Sequence, residues 1–385
     1  MRFILVGLLV AVLAARGGAQ RVWVVGPSAP VQPVVDAASP GDRIEIHDGG
    51  HPGFTVSKAL DIVGMGTDPV VDGVSVRGLP AGSVCSVRGL RSTWGIWLLD
   101  NRGTVVLRRI NAGGIGGEGA LIADSDRVHA EDCWFRGGSA SMFSAGPGMR
   151  IDRSTVTLVG TNAFGGTSRG SGNHEAIRMG SSDLLLSGCR VAGAHGSPTY
   201  WDPSCPCWMP ATAGAGGING SGGLVLVGGC DVSVGQTGWG TFEGYAYYVQ
   251  DAVRTEDTAL RGLTPATSVT VANQPALEVP EGVAIGTALV ATVRTEPQAV
   301  SVVFADITTP APTPLPGFPV PFYLTAEAHV AGVGIADPNG LATFTVRIPN
   351  DPRLRFRTLF LQAVAGSVSP HRLGASAPRS AHIEG

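Results

Sequence analysis

Lysine is almost missing from this chain. Lys58 is the only one in 385 residues, and the other basic side chains, histidine aside, are arginines. Charged residues of both signs make up only 15% of the chain, with a formal net charge of −3 and no basic cluster. That balance excludes the electrostatic footprint of a nucleic-acid binder. Helical periodicity is equally scarce, as are the charged faces that surface helices need. Long apolar runs are absent beyond the first residues, so no membrane span is expected in the mature chain. In their place stand 56 glycines and 27 prolines, the composition of a chain rich in turns.

The first 19 residues read as an export signal. Arg2 supplies a short positive region, an apolar run follows from Phe3 to Ala15, and Gly17 and Ala19 fit the small-residue positions of a cleavage site. The expectation is a secreted, extracellular or cell-surface protein, monomeric and starting at Gln20.

One pattern recurs through the first two-thirds: apolar, any, apolar, any, any, then an apolar residue, Cys or Ser. It runs Leu60–Ile62–Met65, Cys85–Val87–Leu90, Val105–Leu107–Ile110, Val128–Ala130–Cys133, Met149–Ile151–Ser154, Leu184–Leu186–Cys189 and Val225–Val227–Cys230, with a weaker copy at Val253–Thr255–Thr258. The middle position steps by 25, 20, 23, 21, 35, 41 and 28 residues. Period-2 alternation inside each copy marks short strands, and Gly, Asn and Asp punctuate them. A copy this short cannot bury its own apolar side, but stacked copies bury a continuous core. The fold class expected is all-β: a right-handed parallel β-helix of about eight coils over residues 20–262. The third residues of the copies should then form one inward ladder.

Two segments carry a resemblance. SPGDRIEIHDGGHPGFTVSKALDIVGMG is similar to the opening coils, and HEAIRMGSSDLLLSGCRVAG to an internal coil, of the pectate-lyase-like right-handed parallel β-helix superfamily. The resemblance covers residues 30 to 262. It implies the fold and says little of function. The paired aspartates and Gly-His-Gly of polygalacturonases are missing, as is the Asp-Pro-His signature of mannuronan epimerases.

Six cysteines in an exported chain suggest disulfides by default. Here Cys133, Cys189 and Cys230 occupy the ladder position and Cys85 another inward one, so these four read as buried free thiols. Cys205 and Cys207 lie in an insert. They suit a tight local disulfide or a pairing within the loop region better than zinc, since no second Cys/His pair stands nearby.

The over-long steps place inserts at 160–174, 194–216 and 234–247. In-register stacking should bring all three out on one side, the side that often binds. Tyr200, Trp201, Trp208, Trp239 and Tyr245 lie in or beside them and suit stacking on sugar rings, with Glu243 nearby. The alternative is that these rings plug glycine-rich loops onto the scaffold. Candidate catalytic groups are His174, Glu175, Arg178, His195 and Asp202. A lyase needs a base near the sugar C5 proton and a cation for the uronate, which His174, His195, Arg178 or Tyr200 could supply. A hydrolase needs two carboxylates, and Glu175, Asp202 and Glu243 are available. No cofactor is expected. Asp124 and Asp126 could touch calcium, although a turn between strands accounts for them. The expected partner is a polysaccharide or cell-surface glycan; the alternative is a non-catalytic surface or binding protein that uses the β-helix as a rod.

The repeat stops near Gly262. Residues 263–276 read as a linker, and alternating runs over 277–367 as a small β-sandwich. The segment DPNGLATFTVRIPNDPRLRFRTLFLQAVAG resembles a C-terminal module of secreted bacterial proteins, which implies attachment, sorting, weak glycan binding or a spacer. The tail 368–385 is expected to be disordered.

Overall fold

The computed structural model describes residues 20–115, 117–138, 145–167, 173–196, 200–202, 207–209, 214–227, 230–234, 247–249, 253–254, 259–261, 275–307, 322–325, 328–367 and 372–384. The proposed signal segment, Cys205, Trp239, Glu243, Tyr245 and nearly all of the proposed linker lie outside them.

The chain winds into a parallel β-helix with three sheets. Sheet one stacks Val22–Val25, the first halves of Arg43–His51 and Asp61–Val71, then Val84–Arg88, Thr104–Arg108, Arg127–Glu131 and Thr155–Val159. The second halves of Ile177–Ser187 and Ile218–Val227, then Val253–Arg254, complete it. Sheet two takes the second halves of Arg43–His51 and Asp61–Val71. It continues through Arg91–Ser92, Asn111–Gly113, Trp134–Arg136, Asn162–Phe164, Arg190–Ala192, Asp231–Ser233 and Ala259–Arg261. Sheet three holds Phe54–Val56, Val74–Arg77, Ile96–Leu99, Ala120–Ala123, Met149–Asp152, the first halves of Ile177–Ser187 and Ile218–Val227, and Tyr247–Val249. The short helix Gln32–Ala37 packs near the first turn and buries Val35. Inward residues of all three sheets form one elongated core from Val25 to Val234.

Register corrects the sequence ruler at two coils. Ile62, Val87, Leu107, Ala130, Leu158, Leu186 and Leu226 are the true partners in sheet one, with steps of 25, 20, 23, 28, 28 and 40 residues. Ile151 belongs to sheet three instead, and Val227 pairs with Ser187. The expected ladder is therefore Leu90, Ile110, Cys133, Thr161, Cys189 and Cys230, with Thr161 where Ser154 was placed. Met65 is only half-buried.

Ser154 misled because a second ladder of the same grammar runs along another corner, between sheets three and one. There Asn101 Nδ2 donates to Ser125 Oγ at 3.2 Å, Ser125 N to Ser154 Oγ at 3.0 Å, and Ser154 N to Ser182 Oγ at 3.1 Å. Both corners turn through a residue with positive φ just before the ladder residue: Asp100, Asp124, Arg153 and Ser181 in one, Arg109, Asp132, Gly160 and Gly188 in the other. The side chain after that residue then donates to the carbonyl two residues back. Thr161 Oγ1 does so to Val159, and Cys133 and Cys189 donate from sulfur in the same way. Small polar or thiol side chains thus satisfy the tight buried turns. Cys85, Cys133, Cys189 and Cys230 are free and buried, as expected from their place in the repeat.

Two sheets follow at the C-terminus. One is antiparallel: Ala276–Glu278, Ala288–Arg294 and Leu341–Arg347. The other joins Gly282–Ala284, Arg379–Glu384, Thr358–Ser367, Val300–Asp306 and His329–Ile335, with Arg372–Ala375 paired beside Thr358–Ser367. A shared core holds Leu289, Val293 and Phe344 of the first and Val303, Leu361 and Ile383 of the second. The expected disordered tail is overturned. Arg379–Glu384 forms a strand between two others, and Ser380, Ala381, His382 and Ile383 are all buried. Those residues read as polar and irregular in sequence, and their partners lie far away in the chain.

The C-terminal unit sits on the outer face of sheet one. Phe360 and Leu324 pack on Val106, and Tyr323, Ala375 and Ala377 on Val159 and Leu185. Arg108 Nη1 donates to the carbonyls of Glu281 at 2.6 Å and Ser380 at 3.0 Å. Glu131 accepts from Ser380 Oγ at 2.5 Å and from Arg379 Nη1 at 3.2 Å. His382 Nε2 lies 3.3 Å from Asp61, which also pairs with Arg88 at 3.4 Å. From Asp61 to Leu185 the outer face of sheet one is consequently covered, and that stretch is unavailable as a binding face.

Candidate functional site

After Arg43, four long connections and one shorter one leave the β-helix at one corner, between sheets two and three. The loops are 114–119, 137–148, 165–176, 193–217 and 234–246, by the limits of the flanking strands. The inserts expected at 194–216 and 234–247 fall here up to Tyr247, which opens a strand; of the insert expected at 160–174 only residues 165–174 do, since Asn162–Phe164 is a strand of sheet two. A further long connection, 137–148, went unread because Ile151 was assigned to the wrong sheet. The roots of these loops stack as tightly as the strands. Ala194 N donates to His174 O at 3.2 Å, and Ala215 N to Ala194 O at 2.9 Å. A Cβ at Gly165 would run into the His174 carbonyl, and one at Gly193 into that of Ala215. Glycine at these positions is what lets several loops leave through one corner.

Beside the loop roots, the outer face of sheet three carries a charged row. Trp97, Leu121, Arg150, Arg178 and Asn219 are successive register partners. Arg178 is bonded through Nε to the buried carboxylate of Glu175. Arg150 Nε donates to Asp152 at 2.8 Å, and its Nη1 lies 4.0 Å from Glu118. His174, half-buried at the same edge, is within electrostatic reach of Glu175, Arg178 and Glu118. Burial lowers its pKa from the ordinary value and Arg178 adds to this, while the two carboxylates oppose. Burial thus favours the neutral imidazole, and its buried Nδ1 has no hydrogen-bond partner among the described residues.

Of the predicted residues, His174, Glu175 and Arg178 come together. His195 is exposed, two positions into the neighbouring insert. Within that insert Tyr200–Asp202 pairs antiparallel with Cys207–Met209, setting Trp201 opposite Trp208 along the backbone; their side chains lie outside the described residues. Glu118, Arg150 and Asp152 were missed. Arg150 follows Met149 in an alternating strand and was legible as outward-facing, but the register error hid that it neighbours Arg178.

No group of three or more His, Cys, Asp or Glu side chains among the described residues is placed to hold a metal ion. Asp124 binds Arg153 through two hydrogen bonds, at 2.7 and 2.6 Å, and has positive φ, which is the turn role. No helix among the described residues is long and apolar enough to cross a membrane.

The strand registers define the class of protein: a parallel β-helix with a two-sheet unit docked on it. No family model matches the chain, and no curated protein does. Among solved structures it is similar to the enzymatically active domain of tailspike protein 2 of bacteriophage CBA120. That match has 10% identity and a TM-score of 0.32, covering 94% of this chain and 71% of the other. It is also similar to tailspike protein gp49 of the Acinetobacter baumannii bacteriophage Fri1, a capsular polysaccharide depolymerase. There the identity is 9% and the TM-score 0.31, covering 93% of this chain and 86% of that one. Likeness at this level adds nothing to what the registers establish.

Proposed function

We propose that this is an extracellular polysaccharide-binding protein whose loop-bearing corner acts on an acidic glycan as a lyase. The observation that carries the reading is the pairing at the corner of the His174 imidazole, which burial biases towards its neutral form, with the guanidinium of Arg178 within electrostatic reach. β-Elimination of a uronate needs those two functions. A base removes the C5 proton, and a cation stabilises the charge that develops on the carboxylate. Glu175 holds Arg178 in place, so we assign it a positioning role. The insert of Tyr200, Trp201 and Trp208 supplies aromatic residues for the sugar rings. The export-like first 19 residues support action outside the cell.

A panel of acidic and neutral polysaccharides, read at the absorbance of unsaturated uronates and by reducing-end release, tests this. Product from a uronate polymer, abolished in His174→Ala and Arg178→Ala, is the expected result. Reducing ends without unsaturation would place hydrolysis ahead of elimination. Binding without any product would leave the β-helix as a non-catalytic binding rod.

A further inference from the structure

The outer face of sheet two holds a second cluster, distinct from the corner row on sheet three. Trp134 is 44% exposed although it stands mid-sheet. Its ring rests on Phe164, with centroids 4.7 Å apart and an interplanar angle of 35°. Arg190 lies over the same Phe164 ring at 5.7 Å. Along the row, Arg91, Asn111, Trp134, Asn162, Arg190 and Asp231 are successive register partners, and Arg136 and Phe164 are partners in the next row. Neighbouring positions are thus one strand spacing apart, about 4.8 Å.

Two features separate this patch from an ordinary surface. First, neither Arg136 nor Arg190 makes an ion pair among the described residues, Arg190 lying over the Phe164 ring instead, whereas Arg91 in the same row is tied to Asp68 at 2.8 Å. Second, the amides of Asn111 and Asn162, on either side of Trp134, have no hydrogen-bond partner among the described residues. A rigid, half-exposed ring flanked by two amides and two guanidiniums matches one chemistry. The ring takes the apolar face of a pyranose, the amides take hydroxyls, and an arginine takes a carboxylate in a bidentate pair. A single-stranded nucleic acid would also stack, but it needs a continuous basic track. Here Asp68 and Asp231 bracket the row.

We infer that Trp134, Phe164, Arg136 and Arg190 form a second binding site for an acidic sugar residue, on the outer face of sheet two, in rows other than that of Arg150 and Arg178 on sheet three. Only the ligand class rests on the polysaccharide reading.

The test uses the full chain and retardation in gels containing polygalacturonate, alginate or hyaluronan, with dextran and poly(dT) as controls. At least one uronate polymer should retard the wild type. Trp134→Ala combined with Arg190→Ala should weaken that binding about tenfold, by the usual contribution of one stacked ring and one charge-assisted contact. Trp134→Phe should retain most of it, and the thermal midpoint should stay put in all variants. The corner variant Arg178→Ala should still bind through sheet two even where it forms no product, which separates failure of one site from failure of the other. Equal binding by the double variant, equal retardation by dextran, retention by poly(dT) alone, or no retardation by any uronate polymer would overturn the inference.

Discussion

Glu131→Gln should loosen the C-terminal unit from the β-helix. Glu131 is only 1% exposed, and its carboxylate faces Arg379, Ser380, Arg108 at 3.8 Å and His129 at 3.6 Å. Burial by itself would raise its pKa. The contacts with His129, Arg108 and Ser380 outweigh burial and bring it down to about 2 from 4.5. That difference corresponds to roughly 3 kcal/mol of stability, the size expected when one partner of a buried charge cluster is removed. The folded-state value is depressed, so this stability is fully present above about pH 4.5 and is lost as pH falls towards 2. Glutamine keeps the shape but leaves Arg108 and Arg379 without their counter-charge, and it removes the acid-dependent part altogether.

Two probes resolve the outcome. All seven tryptophans lie before residue 262, so their emission reports the β-helix alone. Hydrogen exchange in Arg379–Glu384 reports the docked unit. In urea, Glu131→Gln should lower the stability seen by exchange by about 3 kcal/mol at pH 7 and flatten its slope between pH 4.5 and 2. The tryptophan transition should move less. A variant within about 0.5 kcal/mol of wild type, with an unchanged acid slope, would refute the clamp; that is the scatter of an ordinary surface substitution.

Three further outcomes are expected. Cys85, Cys133, Cys189 and Cys230 should resist a thiol reagent in the native protein and react under denaturing, non-reducing conditions; burial pushes the Cys85 and Cys133 thiols up to about 12, and finding all four paired would contradict their role as core residues. Ser154→Ala should cost about 1–3 kcal/mol in urea unfolding, because the buried N–H of Ser125 loses its acceptor; a loss near zero would mean that the hydroxyl ladder is incidental. Replacing Trp201 and Trp208 together by Ala should weaken glycan binding at least about tenfold with little change in thermal midpoint, at roughly a kcal/mol per stacked ring; a large fall in the midpoint would show that these rings are packing.

Most of the β-helix was legible in the chain because its rule is local. Alternation within each copy and a turn residue before each ladder position recur regardless of what lies elsewhere, so Cys85, Cys133 and Cys189 could be placed inside from the repeat alone. The rule has one blind spot. Apolar-x-apolar-x-x-Ser at Met149 to Ser154 and apolar-x-apolar-x-x-Cys at Val128 to Cys133 are the same words at different corners. Only pairing decides between them, as in Ile151 with Ile122 and Leu158 with Ala130. The corner site was half legible for the same reason: His174, Glu175 and Arg178 are close in sequence, whereas Arg150 and Glu118 join them through register. Least legible was the docking of the C-terminal unit. Arg88, Arg108, His129 and Glu131 were not singled out in the sequence, because alternation distinguishes inside from outside a coil and carries no information about what covers the outside. Tertiary structure brought Arg379, Ser380 and His382 onto them from some 250 residues away in sequence. A buried charge cluster is specified by two distant segments at once, and neither segment announces it alone.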